Sequence, residues 1–522
     1  MGRREWAGVS EHARYRFGPL EQRGLVAGWR GGQILSVACG LVVAVGIVRQ
    51  GTTAVHMALA LCAVGLATVL AVWPVGGRTG EQWLPVVAAW LWRRASGRDR
   101  WRSSLPVAGA VPRGRLGAED ATARGPFSGC YIVSVPFRGT DAREATRVGA
   151  HARAGTRSTR GAGLDAGAGA EAGEVGVLFD RKARTLTAVL ALRGSGFPLL
   201  APDDQDAAVA GWAGVLASLA HEGTGVHRLQ WIERTLPDDA RALRRYRDSH
   251  ATVQDTRPAA RSYEEVLRAC CDGSNRHETL LAVTVRERRP GGRHGPETPT
   301  ALMRELRMLA SQLRGTGLAV DGVLSPGALA TAIRRAAEPE APVPADLASP
   351  DVHAWPVATE AGWSEVRTDA TFHAVYWIAE WPRSDVGPDF LAPLLLRQGI
   401  RRTVAVTMEP VSPLRAQREA ENARVADMAD RRLRQRNGFL VSARRRREEE
   451  GVSRRELELA DGHGQFRFTG YVAVTADSLD GLADARRSIE DAAGQARLAL
   501  RLLYGDQERA FASILPLGRG LA

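Results

Sequence analysis

The sequence predicts a membrane-anchored α+β protein. An N-terminal hairpin of two transmembrane helices precedes two cytoplasmic α+β modules, open sheets with helices on one side, and a charged helical pair. Three observations carry this reading. Two uncharged apolar runs, Gln33 to Val48 and Ala54 to Trp73, are separated only by Arg49-Gln50-Gly51-Thr52-Thr53. Arginines crowd both flanks of that pair. Beyond it, alternating apolar residues and helical periodicities interleave to the end of the 522-residue chain.

The hairpin follows from length. A membrane-spanning helix needs about 20 apolar residues, with roughly 17 as the floor. The second run meets the norm and ends at Trp73-Pro74, an aromatic interface residue followed by a helix breaker. The first is shorter, and Gly31 and Gly32 are expected to extend it by a turn. A long charged segment precedes it, unlike the short basic cap of a secretory signal. Arg3, Arg4, Arg14, Arg16, Arg23 and Arg30 lie before the hairpin, and Arg78, Arg93, Arg94, Arg98, Arg100 and Arg102 after it, whereas the turn carries Arg49 alone. Positive charge stays on the cytoplasmic side, so both termini are expected there, in a multi-pass protein of the cell membrane.

Composition shifts divide the chain into a basic segment 1–31, the hairpin 32–74, an interfacial helix and linker 75–128, a first module 129–338, a proline-rich connector 339–364 and a second module 365–522. In the linker, Trp83, Val87, Trp90 and Leu91 share one face of a helix over Glu81 to Arg94. A helix with tryptophans on one side and arginines at its end is expected to lie on the inner membrane surface. Trp83 and Trp90 would then sit in the interface, and Arg93, Arg94, Arg98, Arg100 and Arg102 at the headgroups.

The first module opens with a short strand, Cys130 to Phe137, and a Gly/Ala-rich loop, 155–173. Glu174 to Phe179 and Thr185 to Leu192 form a hairpin around Asp180-Arg181-Lys182. Val209, Trp212, Leu216 and Leu219 mark a helix. A strand carries His227, Leu229 and Trp231 on one side, and two helical stretches precede a strand over Glu278 to Val285. A helix from Thr298 to Leu313 and a strand over Leu318 to Leu324 close the module. In the second, Thr371 to Glu380 and Thr403 to Met408 are strands, with a helix over Leu391 to Arg397 between them. The charged stretch 414–459 reads as an antiparallel helical pair broken near Asn437-Gly438. Phe466, Phe468, Val472 and Val474 alternate on a last strand. Ser478 then caps a long helix whose face takes in Ile489, Ala493, Ala496, Leu500 and Leu503, and the tail Phe511 to Gly518 leaves it extended.

Chemistry is scarce. The net charge of +12 rests on arginine, and Lys182 is the sole lysine. No Gly-Lys-Ser/Thr exists, which excludes a phosphate-loop nucleotidase. Gly161-Ala162-Gly163 has neither the preceding strand nor the following helix that a dinucleotide site needs. His277-Glu278 begins a metalloprotease pattern, but Leu281 stands where the second histidine belongs. Ser349, Asp351 and His353 hold triad side chains in a proline-rich loop that gives no reason for them to converge. Asp203-Asp204 fit a helix start, and His56 lies near the hairpin turn. Of five cysteines, Cys39 and Cys62 fall in the apolar runs, Cys130 stands alone, and adjacent Cys270-Cys271 is not a CxxC pair. No catalytic residue, cofactor or metal is expected. Nucleic acid is a possible partner on net charge alone, with no specific motif behind it.

Two parts of the chain carry a resemblance. Tyr15-Arg16-Phe17-Gly18-Pro19-Leu20-Glu21, then Arg23-Gly24, the hairpin, Trp83-Leu84-Pro85-Val86-Val87 and the basic run through Trp101 resemble an actinobacterial family of integral membrane proteins related to the PrgI-like subunits of type IV secretion systems. The soluble remainder, above all Phe466 to Gly518 with its Leu515-Pro516-Leu517-Gly518 exit, is similar to the amino-terminal, non-motor domain of the large conjugation ATPase. The resemblance implies a non-enzymatic docking component of a secretion or conjugation-like machine. Its expected partners are the lipid bilayer, a separate ATPase, and other copies or subunits in a membrane complex. A type VII secretion core subunit and a membrane-tethered DNA-binding protein are the alternatives.

Overall fold

The computed structural model describes residues 31–51, 53–75, 78–102, 127–136, 174–194, 196–221, 223–238, 258–271, 275–287, 297–343, 354–436, 451, 454 and 456–520. The loop 155–173, Ser349, Asp351, His353 and the predicted break at Asn437-Gly438 lie outside them.

Helices α1 (Gly31–Gln50) and α2 (Ala54–Val72) form the hairpin. Both are long and apolar enough to cross a membrane, and only 11% of each span is buried within the protein. They cross closely where Gly40 meets Ala67, because a Cβ on Gly40 would fall 2.4 Å from that alanine's own. Gln33 Nε2 donates to Ala71 O at 2.8 Å, tying the open end of the hairpin. At its closed end Thr53 Oγ1 and His56 Nδ1 are hydrogen-bonded at 2.6 Å, a local turn contact.

A two-residue pairing, β1 (Pro74–Val75) with β2 (Arg78–Thr79), turns the chain into α3 (Gly80–Ala95). The chain then supplies β3 (Arg100–Arg102), β4 (Cys130–Pro136), β5 (Glu174–Asp180), β6 (Thr185–Arg193), α4 (Pro202–Leu219), β7 (Val226–Pro237), α5 (Pro258–Cys271), β8 (Asn275–Arg286), α6 (Glu297–Leu313), β9 (Ala319–Val323) and α7 (Pro326–Ala337). The remaining elements are β10 (Ala358–Ala361), β11 (Val366–Thr368), β12 (Thr371–Glu380), α8 (Ala392–Leu395), β13 (Arg401–Val411), α9 (Pro413–Arg436), β14 (Gln465–Ala476), α10 (Leu479–Gln495), β15 (Ala499–Leu502) and α11 (Gln507–Ile514).

All strands after β2 join one antiparallel sheet rather than two separate ones. Its order is β3-β10-β11-β12-β14-β13-β7-β8-β6-β5-β4, with β15 added to β12 and β9 to β6. Read outward from the β7–β13 seam, each half repeats the other. β7-β8-β6-β5 with β9 on β6 matches β13-β14-β12-β11 with β15 on β12. The main registers agree at a constant offset, and both halves break it at the same place, with the unpaired residue Asp321 on β9 in one and Ala379 on β12 in the other. The β6–β9 pairing shifts next to Leu192, and the β12–β15 pairing shifts at the equivalent Ile378. Leu324 N donates to Val189 O, and its counterpart Leu503 N donates to Val375 O. The pseudo-two-fold axis passes through the cross-strand pair Ile232–Ala405. The fold is therefore an internal duplication joined edge to edge.

Helices cover both faces of this sheet, not one side as the sequence pattern suggested. On one face α7 and α11 sink into a core shared by both halves, with every residue of α7 but Arg334 and every residue of α11 but Arg509 buried. On the other face the halves keep separate cores. Val215 and Leu219 of α4 with Leu302, Leu306 and Leu309 of α6 cover the first, and Leu394 of α8 with Leu482 and Ile489 of α10 cover the second. The strands are apolar on both sides, as at Leu280 and Leu281, because both sides are covered.

Three local expectations change. The helix capped by Ser478, whose Oγ accepts from Gly481 N, ends at Gln495 rather than running through Leu503. Leu498 N returns to Ala493 O and Arg497 N to Gly494 O, the double closure that ends helices on a left-handed residue. Here that residue is Arg497, with φ 56°, and Leu500 falls in strand β15. The tail expected to be extended from Phe511 is helical to Ile514. The helix predicted over Leu391 to Arg397 is the single turn α8.

Candidate functional site

Among the described residues, the hairpin and the sheet are joined through α3, and the joint is built from aromatic rings. Helix α3 leaves the hairpin without slack. A Cβ on Gly80 would lie 2.8 Å from Leu70 O, and one on Gly32 would strike the Glu81 carboxylate. Trp83, Val86, Val87, Trp90 and Arg93 then recur on one face of α3 and turn toward the second half of the sheet. Trp83 stacks on Trp363 with centroids 5.9 Å apart and lies 5.9 Å from Tyr504. Trp90 meets Trp363 edge-on at 5.1 Å, and Trp363 stacks on Tyr504 at 6.0 Å. Aromatic pairs in these arrangements contribute about 0.5–1.5 kcal/mol each beyond the area they bury.

Polar contacts lock the same joint. Arg93 Nη2 donates to Gly505 O and lies beside Asp506. Gly505 N donates to Trp363 O at 2.7 Å. Gly505 has φ 72°, and a Cβ there would fall 2.8 Å from the Trp363 ring and 3.0 Å from Val86, so the position demands glycine twice over. Burial pushes the Glu508 carboxyl up to about 7, against the opposing pull of Arg93 and Arg509.

Of the predicted interface residues, Trp83, Trp90 and Arg93 thus face the protein. Arg94 lies over the Trp90 ring at 5.3 Å and Arg98 over Trp92 at 4.5 Å. Arg100 pairs with Glu360 at 2.8 Å, and Arg100 to Arg102 form β3 on the sheet edge against β10. One face of α3 and the strand β3 are thus built onto the second half of the sheet. Sequence reasoning passed over Trp363, Tyr504, Gly505 and Glu508; the turn-forming Tyr504-Gly505-Asp506 was the available signal.

The seam holds a second cluster. Arg234 and Glu278 form a buried ion pair beneath α7, and Arg234 Nη1 donates to Ala332 O at 2.5 Å. On the opposite face Glu233 Oε1 lies 2.5 Å from His277 Nδ1 and 3.6 Å from the fully buried Arg402 guanidinium. The side chains of His277 and Glu278 are thereby accounted for by their contacts with Glu233 and Arg234. Asp203 and Asp204 occupy the exposed first turn of α4. No group of three or more His, Cys, Asp or Glu among the described residues is arranged to hold a metal ion.

The C-terminal segment straps the two halves together. Gly518 N donates to Gln230 Oε1 at 2.9 Å, Thr407 Oγ1 to Arg519 O at 2.7 Å, and Tyr471 OH to Gly520 O at 2.7 Å. Arg519 reaches Asp180 at 2.6 Å and Cys130 Sγ at 3.0 Å. Burial pushes the Cys130 thiol up to about 12, with Arg519 opposing, so this cysteine is held as an unreactive thiol. No protein family and no curated protein matches this chain.

Proposed function

We propose that this chain is a non-enzymatic docking subunit, held in the cytoplasmic membrane by α1 and α2, of a type IV secretion or conjugation-like machine that works with a separate ATPase. The observation that carries the reading is the stiff joint. A hairpin with its apolar side chains turned outward is fixed through Trp83, Trp90 and Arg93 to a wide sheet, the arrangement of a platform held at a membrane. The sequence resemblance to PrgI-like subunits and to the non-motor domain of the conjugation ATPase supplies the kind of machine. The absence of a Gly-Lys-Ser/Thr loop leaves nucleotide hydrolysis to a partner. Affinity purification of the full chain in mild detergent is expected to recover a single-motor secretion ATPase. Recovery of a tandem-motor ATPase would move the protein to type VII machinery, and repeated recovery alone, with the ATPase expressed, would overturn the proposal.

A further inference from the structure

Helix α3 is apolar on two faces, and only one of them is used by the sheet. The inner face spends Trp83, Val86, Val87 and Trp90 on the aromatic joint. The outer face carries Leu84, Pro85, Ala88, Leu91, Trp92 and Ala95, all exposed, with Leu84 at 65%, Leu91 at 53% and Trp92 at 58%. These residues run along roughly 16 Å of helix at 1.5 Å per residue. An exposed apolar strip of that kind marks an interaction surface. Its position and its border identify the partner. The strip begins where α3 leaves the open end of the hairpin, at the level of Gly32 and Leu70, so it continues the apolar surface of α1 and α2. Exposed Arg94 and Arg98 border it, with Arg98 drawn over the Trp92 ring, and exposed Arg100 and Arg102 follow in β3. Tryptophan and aliphatic side chains edged by arginines fit the boundary of an anionic bilayer, rings and chains at the acyl edge and guanidinium groups at the phosphates.

We infer that the outer face of α3, centred on Leu84, Leu91 and Trp92, beds into an anionic lipid surface while its inner face holds the sheet, so that one helix sets the angle of the whole body on the membrane. The inference rests on the reading of α1 and α2 as a membrane anchor. It reverses the sequence-based expectation that Trp83 and Trp90 meet lipid. The test uses the full chain, with its native cysteines replaced, in vesicles of phosphatidylethanolamine and phosphatidylglycerol. Single nitroxides are placed by Leu84→Cys, Leu91→Cys and, on α2, Leu66→Cys. At 84 and 91 dissolved oxygen is expected to relax the label more than a water-soluble nickel chelate does, as it does at 66. Dominance of nickel at 84 and 91, or screening from both reagents by a protein partner or a second copy, would overturn the inference while leaving the anchor intact. Dominance of nickel at 66 would sink the anchor reading and the inference with it. Should the cysteine-free chain not fold, the native chain serves with lipids brominated near the headgroup. Trp92→Phe is then expected to remove a quenched component of the fluorescence that Trp90→Phe leaves in place, and the reverse pattern would refute the bedding.

Discussion

At equivalent places in its two halves, the sheet meets its neighbours with different chemistry. In the first half the paired Arg234 and Glu278 form a buried ion pair under α7. The duplicated positions in the second half are the paired Thr407 and Thr469. Their hydroxyls take smaller tasks, Thr407 donating to Arg519 O and Thr469 accepting from Trp377 Nε1 at 3.1 Å. On the opposite face the contrast reverses, for Leu229 of the first half corresponds to buried Arg402 of the second. The first half covers its outer face with the 18-residue helix α4, where the second has the single turn α8. The second half alone receives α3 and β3. Backbone registers preserve the duplication, whereas side chains have diverged so that one half alone packs against α3 and, through it, the hairpin. Duplicated architecture thus persists on hydrogen-bond register while function settles on one side.

Five variants test this difference, and the largest effect is expected at the ion pair. Arg234→Ala strands Glu278 in the core and is expected to lower stability by roughly 3–5 kcal/mol. Joint replacement of Arg234 by Met and Glu278 by Leu is expected to be nearly neutral, because no uncompensated charge remains. Denaturant titration of the detergent-solubilised chain reads both, and equal losses in the single and the joint variant would refute the account.

Next comes Glu508. Its folded-state value of about 7 exceeds its ordinary value of about 4.5. Its contribution is therefore fully present below about pH 4.5 and lost as pH rises through 7. Glu508→Gln is expected to be on the order of 2–3 kcal/mol more stable than the native chain at pH 8 and no different near pH 4. A pH-independent difference would show that the carboxyl is not held protonated by burial.

Gly505→Ala attacks the joint that only the second half possesses. A left-handed non-glycine residue pressed against Trp363 is expected to cost about 1–3 kcal/mol. It should also open Arg93 and Arg94 to trypsin, and an unchanged cleavage pattern would argue against the tight joint. The smallest effect is expected at Thr407→Ala, about 1 kcal/mol for one lost hydrogen bond. A loss as large as that of Arg234→Ala would remove the contrast between the halves.

The hairpin was legible because an uninterrupted apolar run has few other uses. The strands over Thr371 to Glu380 and Phe466 to Val474 were legible through their bounds and alternation. The faces of α3 were not. Periodicity groups Trp83, Val87, Trp90 and Leu91 together, but the structure turns Leu91 to the exposed face with Leu84 and Trp92, and periodicity cannot assign either apolar group to lipid or protein. The end of α10 was hidden because Arg497 holds the left-handed position where glycine usually signals a stop. Leu500 and Leu503 happened to continue the helical spacing. The duplication was invisible because pairs such as Arg234/Thr407 and Leu229/Arg402 share position and no chemistry.

The seam through Ile232 and Ala405 also fixes how the body can bear load. Six residue pairs, from Arg234–Thr403 to Leu229–Met408, join the halves. Sliding them by one residue would turn every side chain to the wrong face, so the first permitted slip is two residues, about 7 Å. The junction therefore behaves as a toothed rack rather than a hinge. A pull arriving through α3 on one half reaches the other as rigid displacement.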